Sequence, residues 1–357
     1  MRILHLLNEL RDIGNGIVNV GVDLAVEQAR AGHQVAIAST GGEYVPLVEA
    51  HGVRHIDIDF AKRPRTLTAA HAALRTELAE HPVDIIHSHM LAPAALAYVM
   101  TRRGRTPRPG LVTTVHNEYQ RGAILMALAD RTVSVSNAVD DAFRRRHVPA
   151  RRRRVVENGV IGTARRRRPT DVPAADIPAL SIVSVAHVSH RKGADVLIDA
   201  FDKVHAEFPD AHLYFVGNAD WTEVVTDAQT GPLAPHIHFV GLQREPSAYL
   251  KAAAVVTLPS RHDPFPLVML EAREVGAPIV ASHVDGIPEG LDGGAAGILV
   301  PVGDCDLLAS EICAILRSDS HRADLARRSA ANIGRFTVGR MADDYLQIYQ
   351  ELVEGIN

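Results

Sequence analysis

Residues 181–217 read SIVSVAHVSHRKGADVLIDAFDKVHAEFPDAHLYFVG. A β-rich run, SIVSVA (181–186), turns through a basic loop into a helical pattern over 194–207 and ends on a second β-rich run, HLYFVG (212–217). Strand, helix and strand in that order predict a crossover unit. The near-continuous apolar strands predict a parallel sheet covered on both faces. The rhythm runs on through IHFVG (237–241), AVVTLP (254–259), a helix over 266–275 and PIVAS (278–282). Upstream it occurs once already: RILHLLN (2–8), a helix over 17–31, QVAIAS (34–39), a helix near 66–80, VDIIHS (83–88), a helix over 91–102, LVTTVH (111–116) and RTVSVS (131–136). Two runs of one plan in 357 residues predict an α/β protein of two Rossmann-like, doubly wound domains facing a central cleft. The expected boundaries are 1–160 for the first domain, 161–177 for an Arg/Pro-rich linker and 178–335 for the second. A closing helix over 336–357 is expected to pack back across the hinge.

Composition narrows the function. Hydrophobic residues at 46% and charged ones at 22% describe a soluble globular chain with a sizeable core. Aromatic residues at 4% argue against a stacking surface for single-stranded nucleic acid. Cys305 and Cys313 have neither pairing nor zinc spacing, which fits a reducing, cytoplasmic setting. The start, MRILHLLNEL, is too short and too soon acidic for a signal peptide. Segment 144–168 carries 11 arginines and one acid. It reads as a solvated turn and linker, with peripheral contact at the inner face of an anionic membrane as the alternative. The absence of apolar or aromatic neighbours favours the first. Nucleic acid is not an expected partner.

The stretch RHDPFPLVMLEAREVG (261–276) places Asp263 before a helix and Glu271 inside it. Pro266 suits a first helical position, and Gly276 followed by Pro278 stops the helix. Leu267, Leu270 and Glu274 are expected to share one face and Glu271 to point elsewhere. The free N–H groups of such a helix start favour an anion, with Asp263 at its rim and Glu271 on its flank. The alternative is a solvated acid followed by a partly exposed helix acid. In IGNGIVNV (13–20), Gly14 and Gly16 permit a tight strand-to-helix turn through which backbone N–H groups approach a diphosphate. Arg191 and Lys192 stand just ahead of a helix, where its dipole disfavours cations unless an anion is bound. His87, His89 and His116 lie at strand ends, but no carboxylate or cysteine completes a metal set, so no metal is expected.

In this order and spacing, GNGIVNVGVDLAVEQARAGHQV, VDIIHSHM, TTVHN, SVSNAV, VVENGV, VAHVSHRKGADVLIDAF, PSRHDPFPLVMLEAREVGAPIVAS and DGIPEGL…GILVPVGD resemble the retaining nucleotide-sugar glycosyltransferases of family 4, with the GT-B fold. The resemblance runs nearly end to end. It implies an N-terminal acceptor-binding domain and a C-terminal donor domain. It also implies transfer of a hexosyl unit from a nucleotide diphosphate sugar, UDP-sugar favoured, to an acceptor hydroxyl in glycan or glycoconjugate assembly. No metal or other cofactor is implied. Gly16 would lie against the donor diphosphate. Lys192 would neutralise the leaving diphosphate together with His187, which replaces a family arginine, or with Arg191. Asp263 would contact the transferred sugar, Leu267 and Val268 the phosphate, and Glu271 both ribose hydroxyls. Gly217 and Leu242 would hold the base largely by backbone, and Phe265 belongs to the same donor loop. His116 would hydrogen-bond a sugar hydroxyl, so that His116, Lys192 and Asp263 form the catalytic set. Glu9, Asp12 and Glu118 are acceptor-side candidates, or else simple exposed loop acids. Asp263 in place of glutamate and Pro266 in place of glycine depart from the family. Three other readings share parts of this pattern: a glycoside hydrolase using Asp263 and Glu271 as its acid pair, a sugar-nucleotide epimerase, and a catalytically silent nucleotide-sugar-binding protein.

Overall fold

The predicted alternation of apolar strand and amphipathic helix is realised twice in the computed structural model, which describes residues 1–61, 64–103, 108–119 and 122–356. The chain divides into one compact unit of Met1–Arg165 with Phe336–Asn357, and a second of Arg166–Arg335.

In the first unit, strands β1 (Arg2–Leu6), β2 (Gln34–Ser39), β3 (Arg54–Asp57), β4 (Ile85–Ser88), β5 (Gly110–Val115), β6 (Arg131–Ser134) and β7 (Arg153–Val155) form one sheet in the order β3-β2-β1-β4-β5-β6-β7. Every pairing is parallel. Helices α1 (Gly16–Arg30), α2 (Val45–Ala50), α3 (Pro64–Glu80), α4 (Leu91–Arg103) and α5 (Asn137–Arg145) accompany them. Leu4, Leu6, Ile86 and Leu111 of the strands pack with Phe60, Leu74 and Ala97 into one core. Register sets His5 opposite Ile37 on one side and His87 on the other, so two histidines become neighbours in the middle of the sheet.

In the second unit, β8 (Ser181–Val185), β9 (His212–Val216), β10 (Ile237–Phe239), β11 (Val255–Leu258), β12 (Ile279–Ser282) and β13 (Ile298–Val300) run in the order β10-β9-β8-β11-β12-β13. Its helices are α6 (Ala194–Glu207), α7 (Thr222–Thr230), α8 (Ser247–Ala252), α9 (Leu267–Glu274), α10 (Ile287–Gly290), α11 (Cys305–Arg317) and α12 (Asp319–Ala330). Leu197, Phe201 and Val204 at helical spacing bury one face of α6 against Leu308, Ile312 and Ile315 of α11. Burying each such side chain stabilises the unit by about 1.5–3 kcal/mol. The last helix, α13 (Val338–Ile356), belongs to the first unit, where its Tyr345 and Tyr349 are fully buried. Among the described residues, no helix is long and apolar enough to cross a membrane.

The arginine-rich segment is only in part the solvated turn that its composition suggests. Arg153 and Arg154 lie on β7, Arg153 paired with Asp140 and Arg154 with Glu351 at 2.6 Å. Arg165 donates to Asp23 of α1 through Nε at 2.9 Å and Nη2 at 2.7 Å, and Thr163 adds a third bond at 2.5 Å. Arg166, next in sequence, pairs instead with Glu274 of α9. Charges crowded in sequence are thus parted in space, because each guanidinium that folding buries takes a carboxylate with it. Arg144, Arg145, Arg146, Arg151, Arg167 and Arg168 stay exposed. The expected linker, 161–177, is shared out between the units. Ile161 bridges to Thr337 in the first, and in the second Ala175 donates its N–H to the Ala248 carbonyl at 2.9 Å while Lys251 Nζ reaches the Val172 carbonyl at 2.5 Å.

The Asp23 and Arg165 side chains are 1% and 5% exposed, so removing the carboxylate takes the charged partner from a buried guanidinium. Asp23→Ala is expected to cost about 3–5 kcal/mol in urea unfolding, and adding Arg165→Ala should restore part of that. A loss below about 1 kcal/mol would show that the pair is solvated.

Candidate active site

In the second unit the strand order reverses between β8 and β11, so the chain leaves these neighbours toward opposite faces and their carboxyl ends border a crevice. The loop after β8 carries His187, Arg191 and Lys192, and the loop after β11 carries Asp263. Lys192 Nζ lies 2.5 Å from Asp263 Oδ2, which also accepts from Ser260 Oγ at 3.3 Å. The Asp263 N–H donates to Asp285 Oδ2 at 2.7 Å. At 5% exposure Asp263 is a buried acid held by a cation, not a solvated one. Gly193 follows Lys192 with φ 70°, and a Cβ there would stand 2.0 Å from the Pro259 carbonyl oxygen. Only glycine lets the two loops approach this closely. Arg261 locks them further, with both guanidinium nitrogens 2.7 Å from the Asp195 carboxylate and one of them 2.8 Å from the His190 carbonyl. Cations ahead of a helix start are therefore stabilised here by the opposing loop: Lys192 by a carboxylate, Arg191 by the His262 carbonyl at 2.9 Å. His187 is exposed, its Nε2 3.7 Å from Asp220.

Helix α9 begins at Leu267, with Pro266 one step ahead of it as the cap rather than at the first helical position. Proline offers no capping side chain, so the first-turn N–H groups at Leu267 and Val268 stay available. Glu271 and Glu274 do not diverge as expected: spaced by three residues, they share Arg166. Glu274 takes the close contact, and Glu271 stands 3.7 Å from Nε. Arg273, fully buried, donates to the Ser329 carbonyl at 2.9 Å, the Ala331 carbonyl at 2.5 Å and Asp292 at 2.8 Å, and also to the Gly290 carbonyl. It fixes the helix that presents Glu271. Phe265 is 4% exposed, so its ring belongs to the core and only its backbone can serve the site. Gly217 (φ 146°) and Gly241 (φ 71°) bridge the ends of β9 and β10, the Gly217 N–H donating to the Gly241 carbonyl at 2.9 Å, and leave Leu242 43% exposed beside them.

The first unit repeats the arrangement with different chemistry. Its strand order reverses between β1 and β4, and there His5, His87 and His89 cluster. His116 joins through Nε2, 3.2 Å from His89 Nδ1, and His89 Nε2 lies 3.1 Å from His5 Nδ1. His5 Nε2 meets Gln28 Oε1 at 2.8 Å, and Gln28 Nε2 donates to Tyr349 Oη at 3.3 Å. The Tyr349 hydroxyl contacts His87 Nδ1 at 2.6 Å, His87 Nε2 meets Thr114 Oγ1 at 2.7 Å, and Thr114 meets the Tyr345 hydroxyl at 2.8 Å. Each ring nitrogen of His5, His87 and His89 thus has a protein partner within hydrogen-bond distance, and the three rings stand close enough together to offer one ligand atom each to a single ion. Burial pulls His5 down to about 4 and His116 to about 3, and holds His87 and His89 well below the ordinary histidine range.

Of the acceptor-side candidates, Glu118 is 5% exposed, not the exposed loop acid it could have been. Glu9 stands 3.8 Å from Arg11, and exposed Asp12 accepts the Tyr44 hydroxyl at 2.7 Å. At the start of α1 the left-handed turn belongs to Gly14 (φ 71°); Gly16 is already helical, and Asn15 caps the Ile17 N–H at 3.1 Å. Sequence reasoning missed Arg166, Asp285, His5, Gln28, Tyr345 and Tyr349. A histidine inside the apolar run RILHLLN was the available signal for His5.

Because the buried histidines stay neutral in the fold, the unfolded chain binds more protons below about pH 6.5. Stability is therefore complete above that pH and falls as pH drops toward the folded values, about 4 for His5, by about 1.4 kcal/mol per pH unit for each histidine. Urea midpoints measured at about pH 7, 6 and 5 should fall steeply. A flat series would contradict a neutral buried cluster.

Residues 14–161 match the family described as Glycosyltransferase Family 4, and residues 179–318 match that described as Glycosyl transferases group 1. The chain is 27% identical over 366 residues to the phosphatidyl-myo-inositol mannosyltransferase of Mycolicibacterium smegmatis, covering 95% of this chain and 91% of that protein. It is 29% identical over 384 residues to the D-inositol 3-phosphate glycosyltransferase of Saccharomonospora viridis, covering 92% and 87%. Among solved structures, the fold is similar to that of Anabaena HepE in complex with UDP-glucose, with a TM-score of 0.83 at 19% identity over 98% of this chain and 100% of the other. With both sheets, both switch points and both family matches in place, the chain belongs to the family 4 glycosyltransferases and is a transferase of the GT-B fold.

Proposed function

We propose that the protein transfers a hexosyl unit, with retention of anomeric configuration, from a nucleotide diphosphate sugar to an acceptor hydroxyl, and that the second unit binds the donor. The observation that carries this is the Lys192–Asp263 pair at the switch point, with Asp263 four residues ahead of the first residue of a helix that has no side-chain cap and bears Glu271. A diphosphate at that helix start draws Lys192 toward its own charge and releases Asp263 to accept sugar hydroxyls. Glu271, set by Arg166 at 3.7 Å, accepts the ribose hydroxyls. Catalysis is then electrostatic: Lys192, with His187 or Arg191 of the same loop, stabilises charge developing on the departing diphosphate, and no metal is required.

UDP is the favoured nucleotide, because HepE was solved with UDP-glucose. Both relatives named above act on inositol carrying a phosphate, which makes a phosphorylated inositol the first acceptor class to assay. Calorimetric titration with UDP-, GDP-, ADP- and TDP-sugars tests the donor directly. Each charge-assisted bond to ribose is worth about 1.5–3 kcal/mol, so Glu271→Ala should weaken binding of the nucleotide at least about tenfold with the fold intact. Nucleotide affinity unchanged in that variant would remove Glu271 from the site. Consumption of a free glycoside instead of a nucleotide sugar would make the protein a hydrolase.

A further inference from the structure

Like charges gather at one edge of the first sheet. Arg102 near the end of α4, Arg108 ahead of β5, Arg131 at the first position of β6, and Arg151 and Arg152 just ahead of β7 line a cavity of about 270 Å³, bordered by the last turns of α13. The strands are parallel, so these amino ends lie at the edge opposite the carboxyl ends that border the switch point. Two carboxylates, Asp130 and Glu351, face the five guanidiniums. Asp130 is committed to Arg108 at 2.7 and 2.9 Å, to Arg102 at 3.2 Å and to the Leu111 N–H at 3.0 Å. Glu351 is held by Arg154 at 2.6 Å and lies 3.5 Å from Arg131, whose buried Nε has no hydrogen-bond partner among the described residues. Arg152 reaches only the Ala127 carbonyl, at 3.3 Å, and Arg151 has no side-chain partner among the described residues.

Five positive charges against two negative ones leave three uncompensated, and guanidiniums crowded around so small a space repel one another unless an anion joins them. The cavity falls short of the about 300–1,000 Å³ of sites for drug-sized ligands, so the anion is compact. A guanidinium fork matches the oxygens of a phosphate, which accepts two parallel N–H bonds from it. The unpaired Nε of Arg131 and two guanidiniums without a carboxylate supply such donors here. We propose that this cavity of the first unit binds a phosphate or diphosphate group, at a site separate from the start of α9. Arg151 and Arg152 bring the uncompensated charge, Arg131 adds its Nε–H, and Asp130 keeps Arg102 and Arg108 in place. The bound group ties the turns ahead of β5, β6 and β7 to the end of α13. Arg102, Arg108 and Arg131 lie outside the arginine-rich segment, so the fold, not the tract, assembles the site. This assignment is independent of the functional reading above.

Arginine Nε–Hε correlation spectra of the full chain, recorded at about 0.15 M salt so that diffuse attraction is screened, test this. Titrating in pyrophosphate should move the Arg131, Arg151 and Arg152 signals together on one saturable curve, while sodium chloride added to the same ionic strength should not. The double variant Arg151→Gln, Arg152→Gln should weaken that binding at least about tenfold, through the loss of charge-assisted contacts. Lys192→Gln, in the second unit, should leave the three shifts as they are. Shifts lost in Lys192→Gln, or an unaltered affinity in the folded double variant, overturn the proposal. A second arm separates the sources of the group: a short-chain phosphatidylglycerol, monomeric in solution, carries the phosphate on a lipid headgroup. Shifts with pyrophosphate alone place the site's ligand among soluble phosphates, and shifts with the lipid place it among headgroups. If the double variant does not fold, the unaltered protein still decides: three signals that respond to neither probe refute the site.

Discussion

A parallel sheet whose connections all turn with the same hand must change winding direction somewhere if both faces are to be covered, and at that place two neighbouring strands send their loops apart. Both units meet this constraint in the middle of the sheet, between β1 and β4 in one and between β8 and β11 in the other. The rest of the polar architecture follows from it. Carboxyl ends of strands carry backbone N–H and side chains into a gap that no helix fills, so polar groups placed there are sheltered without being packed over. The second unit fills its gap with opposed charges, Lys192 and Asp263. The first fills its gap with neutral rings, tied by hydrogen bonds to buried tyrosines of the last helix. One topological rule thus yields a charged gap in one unit and a neutral, hydrogen-bonded one in the other.

Much of this was legible in the sequence, for a specific reason. Strands such as SIVSVA and QVAIAS are buried on both faces, so their apolar runs are unbroken and stand out against amphipathic helices. Edge and half-exposed strands have no such signature: Arg54–Asp57 and Arg153–Val155 are absent from the expected strands, yet both pair into the sheet. The acids of the donor loop were legible because helix start, proline and carboxylate occur within one short stretch. What they pair with was not, since Lys192 and Asp263 lie 71 residues apart and meet only through the fold. The histidine cluster was least legible: its members come from β1, α1, β4, β5 and the last helix, and spacing along the chain carries no trace of their contact.

Arginine recurs as the structural solution to joining loops. Arg261, Arg273 and Arg165 each satisfy several carbonyl or carboxylate oxygens with one planar group, which a lysine could not do. Arg165 and Arg166 show the same economy at a unit boundary, adjacent in sequence and anchored to Asp23 and Glu274 respectively. A basic tract can therefore be a set of internal fasteners, and its charge is a poor guide to what it attracts.

The chain has four lysines against 34 arginines, and one of the four is Lys192. Two others are engaged on the surface, Lys203 with Asp306 and Lys251 with the carbonyls of Pro169 and Val172. An amine-selective label therefore meets very few targets on this protein. The Lys192 ammonium, 16% exposed and held by Asp263, is chemically distinct from those at the surface. The preference for arginine elsewhere leaves the loop after β8 with an almost private chemical handle, whose accessibility to such a reagent reports on what occupies the crevice.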